Sequence, residues 1–320
     1  MHSPDVVLLG LCVLDRLVQV STLPEPEGVA VVDRVQETGG GMAANVAVAL
    51  ARLGRRTGLI TALGDDDLAD RMLRELSQEG IELQQVVRRP GRPSTHILLL
   101  VDRAFRRSGI FFHPETLFSL APDELDPESI TSARVFFTDL EPPAAALHSA
   151  LLAHTAGRVV VVDVQAGTTQ SEVLGINRQV LLQAASLANL FLPSREGLLT
   201  VTGCSEVSRA LDLLCAEFPL MTVAVTLGTA GSILARGAER VAIPAYPVEV
   251  VDTTGAGDIY HAALIEALYF QEWPLERAGH FASAAAALGC TAVGARTGAP
   301  RREAIEQLLD AAHLRERQVN

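Results

Sequence analysis

The sequence contains no lysine, so all 26 of its basic residues are arginine. That absence removes two kinds of chemistry. A phosphate-binding loop ending in Gly-Lys-Ser/Thr cannot be built, and no Schiff base can form on a lysine. Nor is there a basic run: the arginines occur singly or in pairs on a chain of formal charge −12, so no stretch would track the phosphates of a nucleic acid. Cysteine is scarce. Cys12, Cys204, Cys215 and Cys290 lie far apart, with neither metal-ligand spacing nor a disulfide framework, which fits packed thiols in a reducing compartment. No apolar run approaches the roughly 20 residues of a membrane helix. The first apolar stretch, residues 6–13, lacks a basic leader and a small-residue cleavage site, runs into Asp15 and Arg16, and reads as a strand. A cytoplasmic protein without nucleic-acid or membrane partners is expected. Internal repeats and low-complexity tracts are also missing.

With 48% hydrophobic residues over 320 positions, the chain can bury a large core as one α/β domain, with or without a small appendage. Short β-branched runs alternate with Ala/Leu-rich amphipathic stretches. Strands are predicted over 6–11, 57–62, 134–138, 159–163, 190–193 and 222–227, and helices over 42–53 and 68–79. Helical patterns over 256–270, 275–292 and 301–317 close the chain. This order implies a mostly parallel sheet with helices on both faces. Residues 14–35 and 95–112 break the alternation, holding strand-like segments with no helix between them. They form either a small separate antiparallel sheet or edge strands of the main one.

The densest chemistry lies in Asp252-Thr253-Thr254-Gly255-Ala256-Gly257-Asp258, which runs directly into an amphipathic helix. Small residues at a helix start leave backbone N–H groups unpaired and approachable, and the helix dipole adds positive charge there. Such a turn is an anion site, suited to stabilising a phosphoryl group in transit. In the first helical turn, the Asp258 carboxylate either caps backbone amides or faces the anion and takes a proton from an attacking hydroxyl.

Residues 252–258 resemble the C-terminal signature of the ribokinase-like, or phosphofructokinase B, family of carbohydrate kinases. Three further segments carry the same resemblance in the same order: Gly39-Gly40-Gly41-Met42-Ala43-Ala44-Asn45 leading to Arg52-Leu53-Gly54, the turn Gly64-Asp65-Asp66-Asp67, and Thr226-Leu227-Gly228-Thr229-Ala230-Gly231-Ser232. The resemblance spans about residues 5 to 300. It implies a three-layer α/β/α sandwich with a small β-sheet lid from the segments at 14–35 and 95–112, all as one domain over 1–320. It also implies an ATP-dependent transfer of the γ-phosphoryl group to a hydroxyl of a sugar or ketose, with the primary hydroxyl the expected one. By the same likeness Asp258 is the base, and the amides of Gly255, Ala256 and Gly257 form the anion hole. Asp15, Gly40, Gly41 and Asn45 contact the sugar, and Thr226, Gly228 and Gly231 line the nucleotide. Asp252 and the carbonyl of Thr254 match a monovalent cation site for K+, Mg2+ accompanies ATP, and two copies pair through the lid.

The sequence departs from the family pattern in one place. The usual Asn-Glu-x-Glu element reads Pro193-Ser194-Arg195-Glu196-Gly197, so Gly197 stands where the second glutamate belongs and Glu196 is a shifted candidate for supporting magnesium through water. The nearest branch by Asp258-Ile259-Tyr260-His261 and Cys290-Thr291 is that of sulfofructose kinases, yet Val29, Phe112 and Glu141 occupy positions that branch uses for a sulfonate. A buried glutamate there would repel an anion. An uncharged sugar is therefore expected, or an anion held by Arg34, Arg106 or Arg107. His113 and His261 are read as packing or hydrogen-bonding residues. A nucleoside kinase of the same superfamily and a sugar- or nucleotide-binding sensor without catalysis are the rival functions.

Overall fold

A computed structural model describes residues 3–104, 107–165 and 174–319. In chain order the strands are β1 (Val6–Leu9), β2 (Val13–Val20), β3 (Val32–Gly40), β4 (Thr57–Gly64), β5 (Val86–Arg89), β6 (His96–Val101), β7 (Arg107–Phe112), β8 (Val135–Thr138), β9 (Val159–Val164), β10 (Leu190–Pro193), β11 (Thr222–Thr226), β12 (Ser232–Arg236) and β13 (Glu239–Ile243). The helices are α1 (Met42–Arg52), α2 (Asp67–Gln78), α3 (Pro114–Leu117), α4 (Pro127–Ser132), α5 (Pro143–Thr155), α6 (Arg178–Leu187), α7 (Arg195–Thr202), α8 (Val207–Glu217), α9 (Ala256–Ile265), α10 (Leu275–Gly289) and α11 (Arg302–Val319).

The larger sheet has the order β13-β12-β11-β10-β9-β8-β1-β4-β5. Neighbours from β11 to β5 are parallel, and β12 and β13 turn back antiparallel at one edge. Successive strand residues face opposite sides, and the core divides accordingly. Val6, Leu8, Leu59, Leu63, Val135 and Phe137 pack with α1, α2, α9 and α10. Val7, Leu9, Ile60, Ala62 and Phe136 pack with α5, α6, α7 and α8 on the other side. Burial on both faces is why these strands read as unbroken apolar runs, without a polar alternation.

The second sheet runs β3-β2-β6-β7, so the segments at 14–35 and 95–112 pair with each other, apart from the main sheet. One boundary needs correcting. β3 continues to Gly40, because residues 36–40 pair with 13–17 of β2. Val31, Val32, Val35 and Ile110 are exposed on or beside this sheet. Another difference lies in the C-terminal third. The helix predicted over 256–270 is α-helical to Ile265 and then widens into a π turn at Glu266–Phe270. There the fully buried Glu266 is paired with Arg55 at 2.7 Å and with Arg302. The C-terminal ends of the parallel strands open toward the second sheet, the usual place for a ligand crevice in an open α/β sheet.

Candidate active site

β1 is followed by Gly10-Leu11-Cys12, and β3 runs into the glycine triplet that precedes α1. Each glycine of the triplet answers a different neighbour. A Cβ on Gly39 would sit 2.2 Å from Arg296 Nη1, and one on Gly40 would sit 2.1 Å from Asp15 Oδ2. Gly41 has φ +93°, and a Cβ there would lie 2.4 Å from the Leu11 carbonyl oxygen. Asp139, just past β8, ties these segments together. Its Oδ2 accepts from the Leu11 and Ala43 N–H groups at 2.9 and 3.1 Å, and its Oδ1 accepts from Glu141 N–H at 3.0 Å. Burial pushes the Asp139 carboxyl up to about 7 even so.

Asp258 lies in the first turn of α9, 5% exposed. Its Oδ2 accepts from Asn45 Nδ2 at 2.8 Å, so it does not cap its own helix. Burial first, and then the charge of Asp163, push its carboxyl up to about 7; the Asn45 bond and His261 act in the opposite direction, and Asp15 adds a smaller upward push. A base poised near neutrality is what proton abstraction from a hydroxyl needs. Asp15 is 6% exposed and packed against Gly40 beside this carboxyl. The Asn45 amide bridges two protein groups, donating to Asp258 and accepting from Arg296 Nε at 2.9 Å, so it holds the Asp258 carboxyl in place. Gly40 likewise offers its carbonyl to Arg296 Nη2 at 2.6 Å.

Gly255 precedes α9 with φ +77°, in the left-handed region, and a Cβ there would fall 2.6 Å from Ala295 Cα. Only glycine fits such a turn without displacing the 294–299 loop. Of the three amides expected in the anion hole, that of Ala256 donates to the Thr253 carbonyl at 3.3 Å, whereas Gly257 faces open space. The turn borders a cleft of 410 Å³ lined by Thr226, Gly228, Gly231, Thr253, Ala256 and Gly257. Two motifs some 25 residues apart in sequence thus share one wall.

Asp252 and Glu196, both expected at metal sites, differ in their surroundings. Both oxygens of the Asp252 carboxylate are engaged: Oδ1 accepts from the Thr254 N–H and hydroxyl at 3.0 and 2.7 Å, and Oδ2 accepts from Gly294 N–H at 2.9 Å. Asp252 thus braces the turn. Glu196 projects into solvent, its side chain 63% exposed and 3.7 Å from Arg195. A side chain at Gly197 is excluded, since its Cβ would lie 2.6 Å from the Val164 carbonyl oxygen. The local backbone leaves no room for the family's second glutamate.

Sequence reasoning passed over Asp163 and Arg296, and gave Glu141 and His261 no part in the chemistry. Asp163, at the end of β9 and 1% exposed, lies 3.3 Å from His261 Nδ1. Together with Asp258 the two offer ligand atoms within 4.8 Å of one another, close enough to share a cation. We read the trio as charge compensation: burial lowers the pKa of His261, but the charges of Asp163 and Asp258 outweigh that and hold it above its usual value. The three-residue spacing of Asp258 and His261 on one helix was the available signal. Glu141 is buried, its carboxyl raised by burial and by Asp139 and Asp163, and its Oε2 has no hydrogen-bond partner among the described residues. Arg296 gave no signal in sequence at all. Of the arginines considered for an anionic sugar, Arg34 is exposed on β3 and Arg106 lies outside the described residues.

Residues 3–302 match the family model described as pfkB family carbohydrate kinase. The chain is 30% identical over 300 residues to a fructokinase of Klebsiella pneumoniae, a match covering 91% of this chain and 96% of that one. Identity to the bifunctional ribokinase/ribose-5-phosphate isomerase A of Fructilactobacillus sanfranciscensis is 26%, over 98% of this chain but 58% of that longer protein. The structure of Arabidopsis thaliana ribokinase complexed with ribose and ATP superposes with a TM-score of 0.80 at 25% identity, covering 96% of this chain and 99% of that one.

Proposed function

The chain belongs to the pfkB family of carbohydrate kinases, and from that premise we propose that it transfers the γ-phosphoryl group of ATP to a hydroxyl of an uncharged sugar or ketose, with Asp258 as the base. The observation that carries this reading is the position of Asp258. It sits, buried and held by Asn45, at the head of the same turn whose glycine face borders the 410 Å³ cleft. ATP in that cleft would direct its terminal phosphate at the start of α9, where helix N–H groups and the dipole favour negative charge. The acceptor hydroxyl gives its proton to Asp258, its oxygen bonds to the γ-phosphorus, and the bond to ADP breaks. Charge gathering on the moving phosphoryl oxygens is met by fixed backbone donors, the largest single contribution such sites make.

Asp15 and Asn45 lie beside the base, and Glu141 lies in a small cavity with Met42, Asp139 and Asp163. Carboxylates and amides suit a polyol, since each can accept from hydroxyl groups, and the unpartnered Glu141 Oε2 gains most from such a donor. An anionic group there would meet a concentration of carboxyls. Magnesium entering on the nucleotide phosphates would neutralise charge shared between the β- and γ-phosphates; Glu196 is not proposed as its support. For a potassium ion beside the turn, the proposal retains Asp252 and the Thr254 carbonyl. The four-stranded sheet acts as a lid on one domain, excluding water so that ATP is not hydrolysed. Its exposed Val31, Val32, Val35 and Ile110 support pairing of two copies through the lid.

A coupled ADP-release assay with ATP and magnesium, with and without potassium, tests the reaction across ketoses, aldoses, sugar phosphates and nucleosides. Turnover raised far above background by a neutral sugar supports the proposal. A preference for nucleosides assigns the chain to the nucleoside kinases of the family, and silence with demonstrated nucleotide binding supports a sensor.

A further inference from the structure

Arg296 is 9% exposed and makes no ion pair with any carboxylate among the described residues. A buried guanidinium is costly to desolvate, so its partners should show what it is kept for. There are two. Nη2 donates to the Gly40 carbonyl at 2.6 Å and Nε donates to Asn45 Oδ1 at 2.9 Å. A guanidinium can only donate, so the Asn45 amide must turn its oxygen to Arg296 and its NH2 to Asp258 Oδ2, 2.8 Å away. The flipped amide would set NH2 against guanidinium and carbonyl against carboxylate. Asn45 is therefore held in one orientation between a cation and an anion.

We propose that Arg296 is a positioning residue for phosphoryl transfer: it fixes the Asn45 amide, which holds one oxygen of Asp258 and leaves the other directed at the acceptor hydroxyl. This rests on the reading of Asp258 as the base.

The surrounding chain is built to deliver the guanidinium. Arg52, at the end of α1, pairs with Glu79 at 2.6 Å and donates to the carbonyls of Arg296 and Ala299 at 2.5 and 3.0 Å. Gly39 lacks the Cβ that would sit 2.2 Å from Nη1. The same loop meets the other signature, with Gly294 N–H on Asp252 and Ala295 against Gly255. One loop near the C-terminus thus clamps both glycine motifs, and Arg296 is its contact with the base.

The test is a double-mutant cycle in the ADP-release assay, with Arg296→Met, Asn45→Leu, the pair combined, and Asp258→Asn as reference. Arg296→Met should lower kcat at least tenfold with the KM for ATP little changed. In the Asn45→Leu background the same substitution should change kcat less than twofold, because its route to Asp258 is already gone. The pH profile gives a readout that a merely structural role would not move. Asp163 from β9, Asp15 from β2 and His261 from α9 still surround the base, but the Asn45 bond that lowers its pKa is loosened, so the acid limb of kcat should move to higher pH. If Arg296→Met folds poorly, Arg296→Gln keeps a donor for Asn45 Oδ1 and should retain more turnover than Arg296→Leu at equal folded fraction. Equal losses from Arg296→Met with and without Asn45, or an unmoved acid limb, overturn the proposal. Full turnover of Asp258→Asn would instead remove the base reading on which it rests.

Discussion

Asp258→Asn should abolish turnover and, at the same time, stabilise the fold in alkaline solution. The amide keeps the shape of the carboxyl and can still accept the Asn45 N–H, but it cannot take up a proton. Positioned general bases contribute about 10²- to 10⁴-fold, so kcat should fall by at least about 100-fold while ATP still binds. The stability effect follows from the same burial. The folded-state carboxyl titrates near 7, against 3.8 for a free aspartate, so the folded protein keeps this proton to higher pH than the unfolded chain. Stability from this group is complete below 3.8 and is lost as pH rises through 7. Roughly three pH units at about 1.4 kcal/mol each make a penalty of ~4 kcal/mol near pH 8.5 and about 2 kcal/mol near pH 5.5. An amide carries neither. Thermal melts of both proteins should therefore separate by a few degrees more at pH 8.5 than at pH 5.5, with Asp258→Asn the more stable. The wild-type kcat should rise with pH through about 7, as the base loses its proton. Near-normal turnover of the variant would refute the base; a melting difference independent of pH would refute the buried, proton-retaining carboxyl.

Three further outcomes can be checked with the same reagents. Asp163→Asn removes the neighbouring charge that raises the Asp258 pKa, so the acid limb of the kcat profile should shift to lower pH; a shift upward would mean that loss of compensation at His261 dominates. Glu196→Ala should change kcat and the magnesium requirement less than twofold, since that side chain is 63% exposed and turned to Arg195; a several-fold rise in the magnesium needed would restore it as a support. Val35→Asp places a charge on an exposed apolar position of the lid and should convert a dimer to monomer in sedimentation velocity without lowering the melting temperature; unchanged mass would end the lid-pairing proposal.

How far the site was legible depends on the range of each cue. Gly255 and Gly257 could be read from sequence because a turn feeding a helix needs small residues locally, whatever surrounds it. Asp15 was legible only through resemblance. The doubt over Glu196 came from counting, and the structure adds a reason in three dimensions: the Val164 carbonyl fills the space a side chain at Gly197 would need. His261 was set aside because an isolated histidine on a helix says nothing until Asp163, nearly 100 residues earlier, is brought beside it. Arg296 stood among 26 arginines with no periodicity or motif to distinguish it.

Sequence alone determined the architecture, since apolar runs long enough for strands buried on both faces, separated by amphipathic helices, leave few arrangements besides a parallel sheet between helical layers. It also marked a turn suited to an anion, because unpaired helix N–H groups follow from local backbone chemistry. Tertiary structure decided the electrostatics. Whether Asp258 is acid or base near neutrality depends on burial, on His261 one turn along its own helix, and on Asp163, Asp15 and Asn45, which arrive from two strands and a helix far away in sequence. Charges act through space at short range in a poorly screened interior, and only the fold sets those distances.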